Sequence, residues 1–247
     1  MKARRSLAPP AREFTATIQL HMKPLLLLAT RNAHKAQEVQ QILGLRVLTV
    51  ADLPGAPSTV EDQDSFAGNA VKKALDLARW LGRAELPLRP SMPDGAAAPP
   101  YRGEIEFILA DDSGLEVDAL GGAPGVHSAR FAYLGSNRAG NAPDAENNAK
   151  LLRLLEGVPL EKRTARFRCV IALAAKGSQT EWTIETFEGT CEGRMGFEAK
   201  GAAGFGYDPL FLPEGLQQTF AEIGDPVKNR ISHRAEALQS LRARLNR

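Results

Sequence analysis

The chain has 247 residues, 43% of them apolar and 24% charged, a balance that supports a folded core and excludes a fibre or a mostly disordered protein. Its longest uninterrupted apolar run, Cys169–Ala175, is seven residues against the roughly 20 of a membrane-spanning helix, so no membrane partner is expected. The net charge of +2 hints at nucleic acid, but the first 22 residues carry +3 and the other 225 carry −1, so no nucleic-acid partner is expected either.

Residues 1–22 are Arg-rich, nearly acid-free and lack the apolar stretch of a secretory signal. They read as a disordered N-terminal extension. Two cysteines, Cys169 and Cys191, form no CxxC pair, which points to a reducing, cytoplasmic setting. Leu25–Ala29 reads as a buried strand, and Ala36, Val39 and Leu43 then keep helical spacing. Arg46–Val50 is a second strand. Phe66–Leu81 places Ala67, Ala70, Val71, Ala74, Leu77, Ala78 and Leu81 on one broad helical stripe.

The stretch 84–106 holds five prolines, which remove amide donors and block regular elements, so it reads as a surface insertion. Phe107–Ala110 reads as a strand and Ala145–Glu156 as a helix. Ala165–Ala175 and Glu181–Glu188, joined at Lys176-Gly177-Ser178, read as an antiparallel hairpin. A last helix follows an N-cap at Ser232, with Ala235, Leu238, Leu241 and Leu245 inward. The expected class is α/β with a partly antiparallel sheet, and residues 23–247 are expected to form one domain.

Five stretches carry candidate chemistry. Thr30-Arg31-Asn32-Ala33-His34-Lys35 joins a buried strand to a helix start, which suits a phosphate or a plain capped helix. It lacks the glycines of a Walker A loop. Asp111-Asp112-Ser113 follows the apolar strand Phe107–Ala110. Adjacent carboxylates there can hold a hard cation, act as a base on water, or face solvent in an Asx-turn. Glu61 and Asp62 stand before the Phe66 helix, as a further metal oxygen or as ordinary helix-start charges.

Gly121–Arg130 reads as a tight exposed loop in which His127 is structural and Arg130 meets a phosphate or an acid. In Gly204-Phe205-Gly206-Tyr207-Asp208, Phe205 or Tyr207 offers a stacking face and Asp208 an acceptor, or the aromatics are core. Lys228 and Ser232-His233-Arg234 gather cationic donors at a helix start, for an anion, a purine edge or a simple capping turn.

Together these stretches, with Phe66-Ala67-Gly68-Asn69-Ala70 and Lys73, resemble the inosine/xanthosine triphosphate pyrophosphatase family, enzymes of noncanonical purine nucleotides. The resemblance covers about residues 23–247. It implies an elongated mixed-sheet, two-lobed fold with a central nucleotide-binding cleft, a homodimer, and hydrolysis of ITP, dITP and XTP to monophosphate and pyrophosphate with Mg²⁺. It implies catalytic roles for Asp112, Lys35 and Lys73, and metal ligation by Asp112 and Glu61, with Asp111 in support. Substrate would be held by Thr30, Arg31, Asn32, Ala33, His34, Lys35 and Ser113 at one end. Phe205, Gly206, Tyr207, Asp208, Lys228, His233 and Arg234 would frame and read the base. A site that donates to a 6-oxo group leaves its donors unpaired against adenine, at roughly 1–3 kcal/mol per buried group.

Overall fold

The structure, a computed structural model, describes residues 25–44, 47–83, 105–177 and 181–245. The expected extension 1–22 lies outside the described residues. So does the expected insertion as far as residue 104. Its last two positions, Ile105 and Glu106, open a strand instead.

Six strands form one sheet in the order β2-β1-β3-β4-β5-β6. The first half is parallel: β1 (Leu25–Leu28) lies between β2 (Val47–Thr49) and β3 (Ile105–Val117). The second half is antiparallel: β3, β4 (Thr164–Lys176), β5 (Trp182–Met195) and the short β6 (Phe211–Pro213). Both the mixed sheet and the β4–β5 hairpin match the sequence expectation.

Helices cover the sheet: α1 (Ala33–Leu43), α2 (Phe66–Arg83), α3 (Asp144–Leu154), α4 (Phe220–Ile223), α5 (Asp225–Ile231) and α6 (His233–Leu245). The expected cap of the last helix is present, with Ser232 Oγ accepting from Ala235 N at 3.2 Å. The short α4 and α5 carry no long apolar period that would mark them in the sequence, and the expected exposed loop Gly121–Arg130 is, from Gly125 on, part of a 3₁₀ stretch, Gly125–Tyr133, with Ser128 and Phe131 buried.

Side-chain alternation along the strands sorts the core onto two faces. Leu27, Ile108, Ala110, Val170 and Ala172 pack with Ala70, Ala74 and Leu77 of α2. Leu26, Leu28, Leu109, Cys169 and Ile171 pack with Val39 of α1 and Leu238 and Leu241 of α6. A third cluster, Leu115, Val117, Phe167, Phe211 and Phe220, lies at the far end of the long strands. Leu109 and Leu115 are an even number of residues apart, so they share a face of β3. Between them that face carries Asp111 and Ser113. The apolar core is therefore interrupted by a polar gap between two lobes.

Two glycines make this packing possible. A Cβ on Gly189 of β5 would lie 2.1 Å from His233 O, so only glycine lets the start of α6 sit on the sheet. A Cβ on Gly114 would lie 2.5 Å from both Gly125 O and Ser128 Oγ, so the 3₁₀ stretch presses against β3 there.

Candidate active site

β1 is short and β3 is long, and that mismatch creates the site. β1 ends opposite Leu109, where Ala29 N still donates to Leu109 O at 2.7 Å, and the chain then turns away into Thr30–Lys35. β3 continues, paired with β4 through Asp111, Asp112 and Ser113. The expected strand Phe107–Ala110 therefore runs on to Val117, and of the readings open for the acids the Asx-turn is excluded. The acids lie on strand backbone whose other edge has been vacated by β1, at the carboxyl end of a parallel pair.

Strand alternation sends the two acids to opposite faces. Asp111 Oδ2 lies 3.1 Å from Lys35 Nζ and 2.9 Å from Arg234 Nη2. Burial works against its charge, but Lys35, Arg234 and Lys73 outweigh it and hold its carboxyl far below the usual range. Asp112 faces α2, where its Oδ1 accepts from Lys73 Nζ at 2.8 Å and its Oδ2 from Asn69 Nδ2 at 3.1 Å. For Asp112 burial prevails over Lys73 and raises the pKa, the direction a proton acceptor needs.

Lys73 Nζ also contacts Glu61 Oε1 at 2.6 Å and donates to Asp111 O at 3.0 Å. Burial disfavours its charge, and Asp112, Glu61 and Asp111 together reverse that and raise its pKa. Arg130 anchors the Glu61 loop, donating to Glu61 O at 3.1 Å. It thus meets an acid's segment, one of its two expected roles. His127 sits against Arg130, with Nδ1 3.1 Å from Nη2, in keeping with a structural part.

At the start of α1, Asn32 Oδ1 accepts from His34 N at 2.9 Å and Lys35 N at 3.2 Å. Its carbonyl oxygen is thus committed to the cap. Arg31 turns to the neighbouring loop, donating to Ser58 Oγ at 2.7 Å and Ala56 O at 2.8 Å. Thr30, Asn32, Lys35, Glu61, Lys73, Asp111, Asp112 and Ser113 line a cavity of about 290 Å³.

A second cavity of about 150 Å³ adjoins it, and Asn32, Lys35 and Ser113 line both. Its remaining wall includes Phe205, Gly206, Tyr207, Asp208, Lys228, His233 and Arg234. Phe205 is the accessible ring, stacked on His34 at 5.6 Å with Lys228 Nζ 4.7 Å from its centroid. Tyr207 is core instead, its hydroxyl donating to Ser128 O at 2.9 Å. His233 is buried against Phe167, ring centroids 4.8 Å apart. Burial, with Arg234 and Lys228 nearby, keeps it neutral by lowering its pKa well below the usual value.

The cations of this second cavity share acids. Lys228 Nζ contacts Asp208 Oδ2 at 2.6 Å and Glu38 Oε1 at 2.7 Å, and Arg234 binds Glu38 Oε2 as well as Asp111. Asp208 Oδ2 also accepts from Phe205 N at 2.9 Å, so this acid shapes the loop. α3 holds the same loop, with Asp144 Oδ2 accepting from Gly206 N at 2.6 Å and Asn148 Nδ2 donating to Gly206 O at 3.0 Å.

Sequence reasoning missed Glu38 and the role of Asn69. Glu38 falls between Lys35 and Ile42 at i+3 and i+4 spacing, which marks it as flanking the buried stripe of α1. That signal was readable. Asn69 stands four residues before Lys73, a spacing that was also readable, but its partner Asp112 is 43 residues away and left no mark in the sequence.

The donor set admits a hard cation. Glu61 and Asp112 present oxygen-only ligands gathered around one ammonium. Among the described residues no group of three or more His, Cys, Asp or Glu could hold a metal alone. A Mg²⁺ site needs only one or two carboxylates when substrate phosphates complete it.

The Ham1 family profile matches residues 26–244. A dITP/XTP pyrophosphatase of Desulforamulus reducens is 47% identical over 225 residues, covering 90% of this chain and 96% of its own. One from Exiguobacterium sibiricum is 44% identical, covering 89% and 96%. Among solved structures, a HAM1 protein from Coxiella burnetii superposes with a TM-score of 0.68 at 34% identity, over 89% of this chain and 97% of that one. With a match spanning both lobes and the cleft between them, this chain belongs to the Ham1 family.

Proposed function

We propose that this protein is a nucleoside triphosphate pyrophosphatase that hydrolyses dITP, ITP and XTP to the monophosphate and pyrophosphate, removing them from the nucleotide pool. The carrying observation is the continuous cleft, in which two lysines and two buried acids lie next to an aromatic-walled pocket. Thr30, Asn32, Lys35 and Ser113 bind the triphosphate, with Lys35 and Lys73 offsetting its charge. Asp112 takes the proton from the attacking water, and Asp111 fixes Lys35 and Arg234 in place. Mg²⁺, held by Asp112 and Glu61, would supply charge neutralisation at the phosphates.

Phe205 stacks on the base. Lys228 and Arg234 donate to its 6-oxo edge while Glu38 and Asp208 hold them in position, and neutral His233 sits beside them. The working form is a homodimer in the cytoplasm, with residues 23–247 as the catalytic domain and neither membrane nor nucleic acid as a partner. Among the described residues, no helix is long and apolar enough to cross a membrane.

The test is pyrophosphate release from dITP, ITP, XTP, GTP and ATP, with Mg²⁺ and with EDTA. Turnover of the first three, little of the last two and loss in EDTA are expected. Equal or absent turnover across the panel overturns the reading.

A further inference from the structure

Asn69 is fully buried on α2, one turn before Lys73. Positions i and i+4 lie on one helix face, so the two side chains rise side by side toward β3. They take one oxygen each of the same carboxylate. Lys73 Nζ donates to Asp112 Oδ1 at 2.8 Å and Asn69 Nδ2 to Asp112 Oδ2 at 3.1 Å. The other end of the Asn69 amide faces the loop that carries Glu61. Its Oδ1 accepts from Gln63 N at 3.0 Å, and Nδ2 also reaches Gln63 O at 3.4 Å.

We propose that Asn69 is a positioning residue for hydrolysis: its amide fixes the plane of the Asp112 carboxylate and ties that plane to the Glu61 loop. This role rests on Asp112 acting as the base toward water. The carboxylate torsion of an aspartate is broad, with no sharply staggered well. An ammonium with three rotatable donors holds one oxygen without fixing the plane. A second, directional donor on the other oxygen removes that freedom. Each oxygen then keeps one lone-pair direction for a water proton. Misplacing a base by a fraction of an ångström costs rate rather than substrate binding.

A purely structural Asn69 would do no more than satisfy the Gln63 backbone. Its loss would lower thermal stability and leave kcat of the folded protein unchanged. The two roles separate in full-length Asn69→Ser, assayed for pyrophosphate release from dITP with Mg²⁺. We expect kcat to fall about tenfold while KM stays within twofold of wild type. The same substitution in Asp112→Asn, measured at high enzyme concentration over hours, should give no further loss, because Asn69 acts through Asp112.

Asn69→Leu keeps the side chain's size without a donor and serves if Asn69→Ser does not fold; the same kcat loss is expected. A folded variant with kcat within twofold of wild type overturns the proposal. So does a tenfold loss that persists without the Asp112 carboxylate, or failure of both variants to fold. Wild-type protein inactive on dITP overturns the proposed activity and this role with it, whereas active wild type beside unaffected variants overturns this role alone.

Discussion

Asp111 and Asp112 are consecutive on β3 yet serve opposite sides of the sheet. Asp111 is held by Lys35 and Arg234 from the α1 and α6 side, and Asp112 by Lys73 and Asn69 from α2. The same pleat that separates them gives them opposite electrostatics. One is fixed as a charged anchor, and the other is shifted by burial toward a group that can accept a proton.

Asp112→Asn therefore tests the chemistry with little disturbance of the fold. Lys73 keeps Glu61 and the Asp111 carbonyl as partners. Removing a positioned base costs about 10²–10⁴ in rate. The expected outcome is a kcat on dITP lowered at least about a hundredfold, with a melting temperature close to wild type. Calorimetry beside the rate assay checks both, and an active variant would remove Asp112 from the base role.

Glu38→Gln tests the buried acid that joins α1 to α5 and α6. Burial opposes its charge, and Arg234 and Lys228 overcome that and lower its pKa below the usual glutamate value. A lowered folded pKa gives stability that is fully present above the unfolded value, about 4.3, and is lost as pH falls through the folded one. Breaking one side of such a buried cluster costs about 3–5 kcal/mol. Urea unfolding should show a deficit of that order at pH 7 that shrinks below about pH 4. A deficit independent of pH would contradict the sign.

Gly114→Ala probes the contact between β3 and the 3₁₀ stretch. The added methyl would lie 2.8 Å from Phe66 Cε1 besides its two 2.5 Å oxygen contacts. Overpacking of this kind costs about 1–3 kcal/mol. A thermal melt should show a lower midpoint, and an unchanged midpoint would mean that the 3₁₀ stretch moves aside freely.

Phe205→Ala removes the accessible ring of the smaller cavity, the proposed base pocket. Base stacking is worth about 1–3 kcal/mol, so KM for dITP should rise about ten- to a hundredfold with kcat changed far less. Phe205→Trp should retain low KM. Initial rates over a range of dITP concentrations decide it, and a KM unmoved by the alanine would place the base elsewhere.

Much of the fold was readable from periodicity. The stripe of Phe66–Leu81, the Ser232 cap and the hairpin split at Lys176-Gly177 are local signals, and each appears at its expected place. The polar stretches Thr30–Lys35, Asp111–Ser113, Gly204–Asp208 and Lys228–Arg234 were also legible as candidates, because each stands where an apolar period stops. Phe205 and Tyr207 are equal candidates for an open ring in the sequence, and only the structure buries Tyr207, since ring type alone does not say which side of a loop a ring takes.

The sequence by itself determined the longer helices, the β4–β5 hairpin and which side chains can carry charge, because period and residue type are properties of neighbours along the chain; the short β6, α4 and α5 left no such period. Tertiary structure decided that β3 runs on past β1 through Asp111 and Asp112, since the end of an apolar run does not mark the end of a ladder. It alone paired Asn69 with Asp112 and Glu38 with Arg234, contacts 43 and 196 residues apart. Such contacts are set by how sheet and helices pack, and that packing gives two adjacent, chemically identical acids different partners and opposite pKa shifts.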